Sequence, residues 1–213
     1  MAIQVRAKVL SHRYRKIGKQ KKKHEKNTAN QQITKMVTTI AEHNVDESLL
    51  PEKATILDVG CRGFQFTNYF RQKGHRVFSI DLDHIEGQAY YQCAISDHDG
   101  RTGILRTNDK QATRMKEGGE VPCYTLATFS RSCGIDFWDL IKMDVEGAEY
   151  EIIMSQYEAP AKQWSIEFHL HTGIYTQKQM KEMEDKLFDL GYDAVHHKLT
   201  EEHGAGYNYW SSL

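Results

Sequence analysis

The chain reads as an α/β protein whose doubly wound, mostly parallel sheet has seven strands and an antiparallel hairpin at its C-terminal edge. Three observations predict this. From residue 54 onward, short apolar runs alternate with helical stretches, the pattern of a largely parallel sheet covered on both faces. Acids close three successive predicted strands, at Asp58, Asp81 and Asp97. A fourth run, Leu140-Ile141-Lys142-Met143-Asp144-Val145-Glu146, has a strand's apolar core but carries charge at every second position. Side chains alternate along a strand, so those three charges share a face, and a central parallel strand should be apolar on both faces. Such charges are costly unless they meet partners or a ligand at the strand's carboxyl end, where open α/β sheets bind ligands.

In order, Thr28 begins a predicted helix through about His43, because Ile33, Met36, Val37 and Ile40 fall at i, i+3, i+4 and i+7. Ala54–Val59 is the first strand, Phe64–Gln72 a helix closed by Gly74, and Arg76–Ile80 the second strand. Tyr90–Ile95 is the third strand, followed by a turn over Asp97–Gly100 and a polar hairpin or mobile loop over 101–123. Leu126–Ser132 is helical, and Gly147–Tyr157 follows the charged strand as a helix. Trp164–Leu170 is a fifth strand and Gln177–Leu190 a long helix. Asp193–Lys198 and Tyr207–Ser211 form the closing hairpin. The organisation is a basic arm, residues 1–27, before one domain, residues 28–213.

Composition bounds the class. At 213 residues, 39% hydrophobic and 27% charged, the chain supports one ordinary globular core. The net charge of −1 conceals an asymmetry: residues 1–36 hold eleven Lys/Arg and one acid, Glu25, which leaves 17 bases and 28 acids beyond them. A strongly basic arm on an acidic body points to nucleic acid or another polyanion, to docking on the body, or to a solvated tail. Cys61, Cys93, Cys123 and Cys133 lack metal or disulfide-framework spacing, which favours reduced thiols and a cytoplasmic location. No apolar run is long enough to span a bilayer, and no secretory h-region is present. A monomer or homodimer is expected.

The first strand enters Asp58-Val59-Gly60-Cys61-Arg62-Gly63-Phe64, a glycine turn into a helix. Glycine permits tight turning and close ligand approach, but the spacing is not GxGxxG, which disfavours a dinucleotide hydride-transfer enzyme. Asp58 suits a ligand amine, Asp81 suits ribose hydroxyls, and Asp97 suits an adenine amino group or merely its own turn. Asp83 is the next turn's cap. On the fifth strand Glu167, His169 and His171 alternate beside Lys142, Asp144 and Glu146. A histidine paired with Asp144 or Glu146 can act as a general base. The same residues can hold a divalent cation of the Mn, Zn or Fe class, although no metal site is assigned, or form structural ion pairs. Glu149 suits the positive end of a helix and Lys142 neutralises its neighbours.

Asp58, Asp81 and Asp97 in succession resemble the S-adenosylmethionine site of Rossmann-like methyltransferases. Leu140-Ile141-Lys142-Met143-Asp144-Val145-Glu146-Gly147-Ala148-Glu149 resembles the signature of the FkbM-type methyltransferase family. Val121-x-x-x-Thr125-Leu126 and Ala94-Ile95-Ser96-Asp97-x-x-Gly100 match that family's pattern too. The resemblance covers roughly residues 54–170 and, more loosely, the C-terminal hairpin. Arg62 replaces a usual small or Asn residue, and the arm of residues 1–27 has no counterpart in the pattern.

The resemblance implies methyl transfer from S-adenosylmethionine to a hydroxyl, often on a sugar or natural product. Asp58, Gly60, Gly63, Asp81 and Asp97 would hold the cofactor, and Asp144, Glu146, His169 and His171 would serve a small-molecule or glycan acceptor. Two alternatives stand beside it: an RNA or DNA methyltransferase guided by the arm, and a non-catalytic binding module retaining the fold. No Asn/Asp-Pro-Pro-Tyr motif supports exocyclic amine methylation, and no second lysine is placed for ribose methylation.

Overall fold

A computed structural model describes residues 37–106, 113–170, 173–198 and 207–212. The basic arm and the first part of the predicted N-terminal helix lie outside them, as does His171. The main sheet is built on five parallel strands. These are β3 (Thr55–Val59), β4 (Arg76–Asp81), β5 (Tyr91–Gln92), β9 (Trp138–Met143) and β10 (Ala161–Phe168). Beyond β10, β12 (Tyr207–Ser212) pairs antiparallel with both β10 and β11 (Asp193–Lys198), giving the order β11-β12-β10-β9-β3-β4-β5. β3 and β9 are central neighbours, so the carboxyl ends of the glycine-turn strand and the charged strand lie side by side.

Among the described residues, four α-helices connect the strands: α1 (Gln65–Gln72), α2 (Leu126–Cys133), α3 (Glu149–Met154) and α4 (Gln177–Asp189). α2 starts where Thr125 caps it, accepting from Thr128 N, and α4 where Thr176 and Gln179 form a capping box. Leu57, Ile141, Trp138, Trp164, Ile166 and Met183 are buried in one apolar cluster. Ile40, Val45, Ile56, Phe66, Phe70 and Leu140 fill a second. Those clusters hold the strand ends in place.

Three expectations need correction. Val37–Ile40 is not the end of a helix but β1, hairpinned antiparallel to β2 (His43–Asp46). The apolar spacing fits a helix, but Val37-Thr38-Thr39-Ile40 is β-branched throughout, and Ala41 and Glu42 both take positive φ in a two-residue hairpin loop. Tertiary contacts complete the preference: Asp46 N donates to Gln163 Oε1 at 3.1 Å and Gln163 Nε2 donates to Asp46 O at 3.0 Å.

The predicted third strand is split at buried Cys93. Tyr91–Gln92 edges the main sheet, while β6 (Ala94–Ser96) joins a separate sheet with β8 (Thr113–Thr125) and β7 (Gly100–Arg106). β7 and β8 are thus the hairpin alternative for residues 101–123, with a register shift after Thr102. Third, α3 begins at Glu149 rather than Gly147, because Glu146 and Gly147 both have positive φ, which ends β9 in a sharp turn.

Gly60 lets the turn pass hard against the Asp144 backbone. Its φ is +82°, and a Cβ there would lie 1.8 Å from the Asp144 carbonyl oxygen. Gly74 has a similar φ, +86°, with no atom within 4 Å of its virtual Cβ. Gly74→Ala is expected to cost about 1–2 kcal/mol from left-handed strain alone. Gly60→Ala carries the same strain plus the clash, so urea unfolding should show a distinctly larger loss; equal losses would contradict the close approach.

Candidate active site

The site is organised from β9 outward. Lys142 is 4% exposed, and its Nζ donates to the Gly60 carbonyl at 2.6 Å. It lies 3.3 Å from Asp58 Oδ1 and 3.4 Å from Asp144 Oδ2. Burial works against the lysine's charge, but Asp58 and Asp144 outweigh it and hold the ammonium well above its ordinary range. Burial likewise opposes the charge on Asp144, and Lys142, His43 and His169 together outweigh it, keeping that carboxyl well below the usual range. The expected neutralising role of Lys142 therefore has a specific geometry.

Asp58 is 1% exposed and accepts from Thr67 Oγ1 at 2.6 Å while facing Lys142. It forms part of a cleft floor with Gly60, Gly63, Phe64, Lys142 and Asp144. A second cavity opens on the other side of Gly60. Its lining includes Ile80, Asp81, Ile95, Met115, Val145 and Glu146, and it shares Gly60, Arg62 and Asp144 with the first. Asp81 accepts from Asp83 N at 2.9 Å, and burial raises its pKa. Asp83 accepts from His84 N and is clamped by Arg62 at 3.4 Å and Arg106 at 2.7 Å. Arg62, the departure in the glycine turn, thus packs its charge against a buried carboxylate at the rim.

Three expected cofactor residues, Asp58, Gly63 and Asp97, do not line the Asp81 cavity. Asp97 is not among the residues lining the Asp81 cavity; it lies on a different cleft with Thr125 and Arg131, bonded to His98 Nδ1 at 2.7 Å. The strand bearing it leaves the main sheet, so Ile95 rather than Asp97 reaches the cavity. Gly63 belongs to the Asp58 cleft only.

Asp144, Glu146 and His169 do come together. His169 Nε2 lies 3.4 Å from Asp144 Oδ1, 3.6 Å from Glu146 Oε2 and 3.8 Å from Glu167 Oε1. Its Nδ1 donates to Glu149 Oε1 at 2.6 Å, and Glu149, 0% exposed, also accepts from Gly147 N. Glu149 is therefore more than a favourable charge at a helix start: it fixes the histidine. Sequence reading missed His43, which the β1–β2 hairpin delivers. Its Nε2 is 4.0 Å from both Asp144 and Glu167, and its Nδ1 is hydrogen-bonded with Ser165 Oγ at 3.1 Å. The β-branched run before Ala41-Glu42 was the signal that could have placed it.

The electrostatics separate the two imidazoles. Burial lowers the His43 pKa, keeping that ring neutral. Burial also pulls on His169, but the Glu149 hydrogen bond and the surrounding carboxylates raise it to about 9. Burial and Asp144 raise Glu167 to about 7, and burial raises Glu146. His169 is thus an imidazolium at neutral pH, and the groups able to accept a proton are carboxylates and His43.

A parallel sheet with a glycine turn, an acid at the second strand's end and a cavity between them is the ligand-binding arrangement of a Rossmann-like fold. The methyltransferase FkbM domain matches residues 19–194, and the chain belongs to that family. The match begins within the basic arm, so the arm's last residues, unlike its first, fall inside the family's span. The cofactor is S-adenosylmethionine.

Solved structures similar to this chain include a TehB-like SAM-dependent methyltransferase from Corynebacterium glutamicum, at 14% identity over 78% of this chain and 83% of that one, TM-score 0.41. A precorrin-6y C5,15-methyltransferase from Geobacter metallireducens shares 13% identity over 88% and 94%, TM-score 0.40. The magnesium protoporphyrin IX methyltransferase of Synechocystis, with bound SAM, shares 12% over 78% and 72%, TM-score 0.42. Comparison with curated proteins gives no match.

Glu149→Gln is expected to drop the His169 titration midpoint from about 9 toward its ordinary 6.5, read by NMR of the imidazole in metal-stripped protein. The sign for stability follows from linkage. A raised folded-state pKa contributes stability that is full below 6.5 and lost as pH rises through 9, so wild-type stability falls across that window and the variant's falls less. A midpoint unchanged by the substitution would contradict the role given to Glu149.

Proposed function

We propose that this methyltransferase acts on a hydroxyl of a sugar or other small molecule. The carrying observation is that Asp144 and Glu146 belong both to the cavity lined by Asp81 and to the carboxylate–imidazole wall around His169. The residues present fit the cofactor. Asp81 offers a carboxylate for ribose hydroxyls, Ile80 and Ile95 offer apolar walls for a ring, and Gly60, lacking a Cβ, lets the turn pack against the Asp144 backbone where the two clefts meet. Asp58, paired with Lys142, acts from beneath by holding the turn. When bound, S-adenosylmethionine supplies an electrophilic methyl group on a sulfonium.

Methyl transfer asks the protein chiefly to align an acceptor oxygen and receive its proton. Asp144, held ionised by Lys142, accepts a hydrogen bond from the acceptor hydroxyl. Glu146 takes the proton, its burial-raised pKa bringing it closer to the working range of a general base. The left-handed φ of +57° at Glu146 turns it into the cavity, a strained conformation of the kind found at functional sites. His169, charged and fixed by Glu149, orients both carboxylates and is not the base. A reduced compartment such as the cytoplasm, with the chain as monomer or homodimer, suits the free Cys61, Cys93, Cys123 and Cys133.

Calorimetry with S-adenosylhomocysteine should show saturable binding, weakened about ten-fold by Asp81→Asn, the scale of one charged hydrogen bond. In a methyl-acceptor screen, Glu146→Gln should lower turnover by about 100-fold with binding of S-adenosylhomocysteine retained. Turnover unchanged in Glu146→Gln would remove it as the base.

A second reading gives residues 1–27 a polyanionic partner, favoured by the density of Lys and Arg there. Oligonucleotide affinity should then fall steeply with salt, and removal of residues 1–27 should flatten that slope. An unchanged slope after removal excludes the arm as a nucleic-acid contact.

A further inference from the structure

The two imidazoles of the acceptor wall have the same construction. Each has its Nδ1 engaged by a fixed partner behind it, Glu149 for His169 and Ser165 for His43, which leaves each Nε2 facing forward. Between them stand Asp144 and Glu167. Asp144 turns Oδ1 toward His169 at 3.4 Å and Oδ2 toward His43 at 4.0 Å. Glu167 likewise turns Oε1 toward His169 at 3.8 Å and Oε2 toward His43 at 4.0 Å. Glu146 adds a third carboxylate, 3.6 Å from His169.

The rear contact of His169 is a strong hydrogen bond at 2.6 Å, and its Nε2 faces three carboxylates at 3.4, 3.6 and 3.8 Å. Donor atoms each bound at about 2.1 Å to one ion stand roughly 3–4 Å from one another. The forward atoms fall into two triads, His43–Asp144–Glu167 and Asp144–Glu146–His169, joined at Asp144, each with its donor atoms within 4.8 Å of one another. An imidazole whose rear nitrogen is held by a buried carboxylate is the usual outer-shell support of a metal-ligating histidine.

We infer that Asp144 is the common ligand of a divalent transition-metal centre, with His169 and Glu146 on one side and His43 and Glu167 on the other. Mixed imidazole and carboxylate donors select Mn, Fe or Zn over Mg or Ca. An ion here would take the place of the proton that His169 carries on Nε2 in the metal-free chain, and Lys142, 3.4 Å from Asp144 Oδ2, offsets part of the charge of the three carboxylates. The centre deepens the hydroxyl-methylation reading, on which its purpose rests: an ion here would polarise the acceptor oxygen and lower its pKa, and Glu146, ligating through one carboxylate oxygen, would keep the other for the proton.

The test is calorimetric titration of the full, untagged, chelator-treated chain with Mn²⁺, Zn²⁺ and Mg²⁺, each alone, followed by S-adenosylhomocysteine on the same samples. Saturable binding of Mn²⁺ or Zn²⁺, much tighter than of Mg²⁺, is expected. Glu149→Gln should weaken it by about ten-fold or more, the scale of an outer-shell loss, and His43→Gln and Asp144→Asn should weaken it at least as much. Thermal melting of each variant verifies that it is folded. Absence of saturable Mn²⁺ or Zn²⁺ binding, or undiminished binding in folded Asp144→Asn, overturns the centre. If S-adenosylhomocysteine binds while the metals do not, the centre fails and the transfer reading stands. If the metals bind and S-adenosylhomocysteine does not, the centre stands and the transfer reading fails.

Discussion

The buried ammonium of Lys142 ties together the parts that matter. It joins Asp58 on β3, the carbonyl of Gly60 in the turn and Asp144 just past β9, three points on two adjacent strands. A charge this deeply buried is tolerable only when paired and hydrogen-bonded. Removing Lys142 would leave the Asp58 and Asp144 carboxylates without their shared counter-charge. The pairing therefore fixes the relative height of the two strand ends, and the positions of Gly60 and Asp144 follow from it.

Backbone shape at those ends depends on the same constraint. Gly60 can pass against the Asp144 carbonyl only without a side chain, and Glu146 and Gly147 must both take positive φ to leave β9 and enter α3. That turn carries Glu146 toward the cavity and begins the helix that bears Glu149. Glu149 then reaches back to His169 at the end of β10. One ion pair, one glycine and one strained turn are enough to bring residues from β3, β9, α3 and β10 to a common edge.

Much of this is legible in the sequence because strand periodicity and ligand-bearing ends coincide. Lys142, Asp144 and Glu146 stand out as charges in an apolar strand, and Asp81 as the acid closing β4. Other parts are not legible, for identifiable reasons. Val37 and Ile40 satisfy helical spacing as well as β-branched strand propensity, and only contacts with Gln163 and the Ile56–Phe70 cluster separate the two. Asp97 draws notice by its place after a strand, yet that strand changes sheets at Cys93, which no local pattern signals. Glu149 looks like a helix-end acid because its partner is twenty residues away. His169 looks like a base because its surroundings, which raise its pKa to about 9, are tertiary.

The β1–β2 hairpin has a consequence for how the molecule comes to be made. His43 meets Ser165 across 122 residues of sequence, and Asp46 meets Gln163 across 117. Contacts of such separation carry a large loop-closure cost and form late, after the local and neighbouring pairings that repay their own ordering. A folding chain can thus complete the β3–α1–β4 turn and its glycine cradle while the acceptor wall still lacks one imidazole. Ligand affinity and chemical competence would then arise at different moments of folding, the second only when the earliest described segment has docked on one of the last central strands.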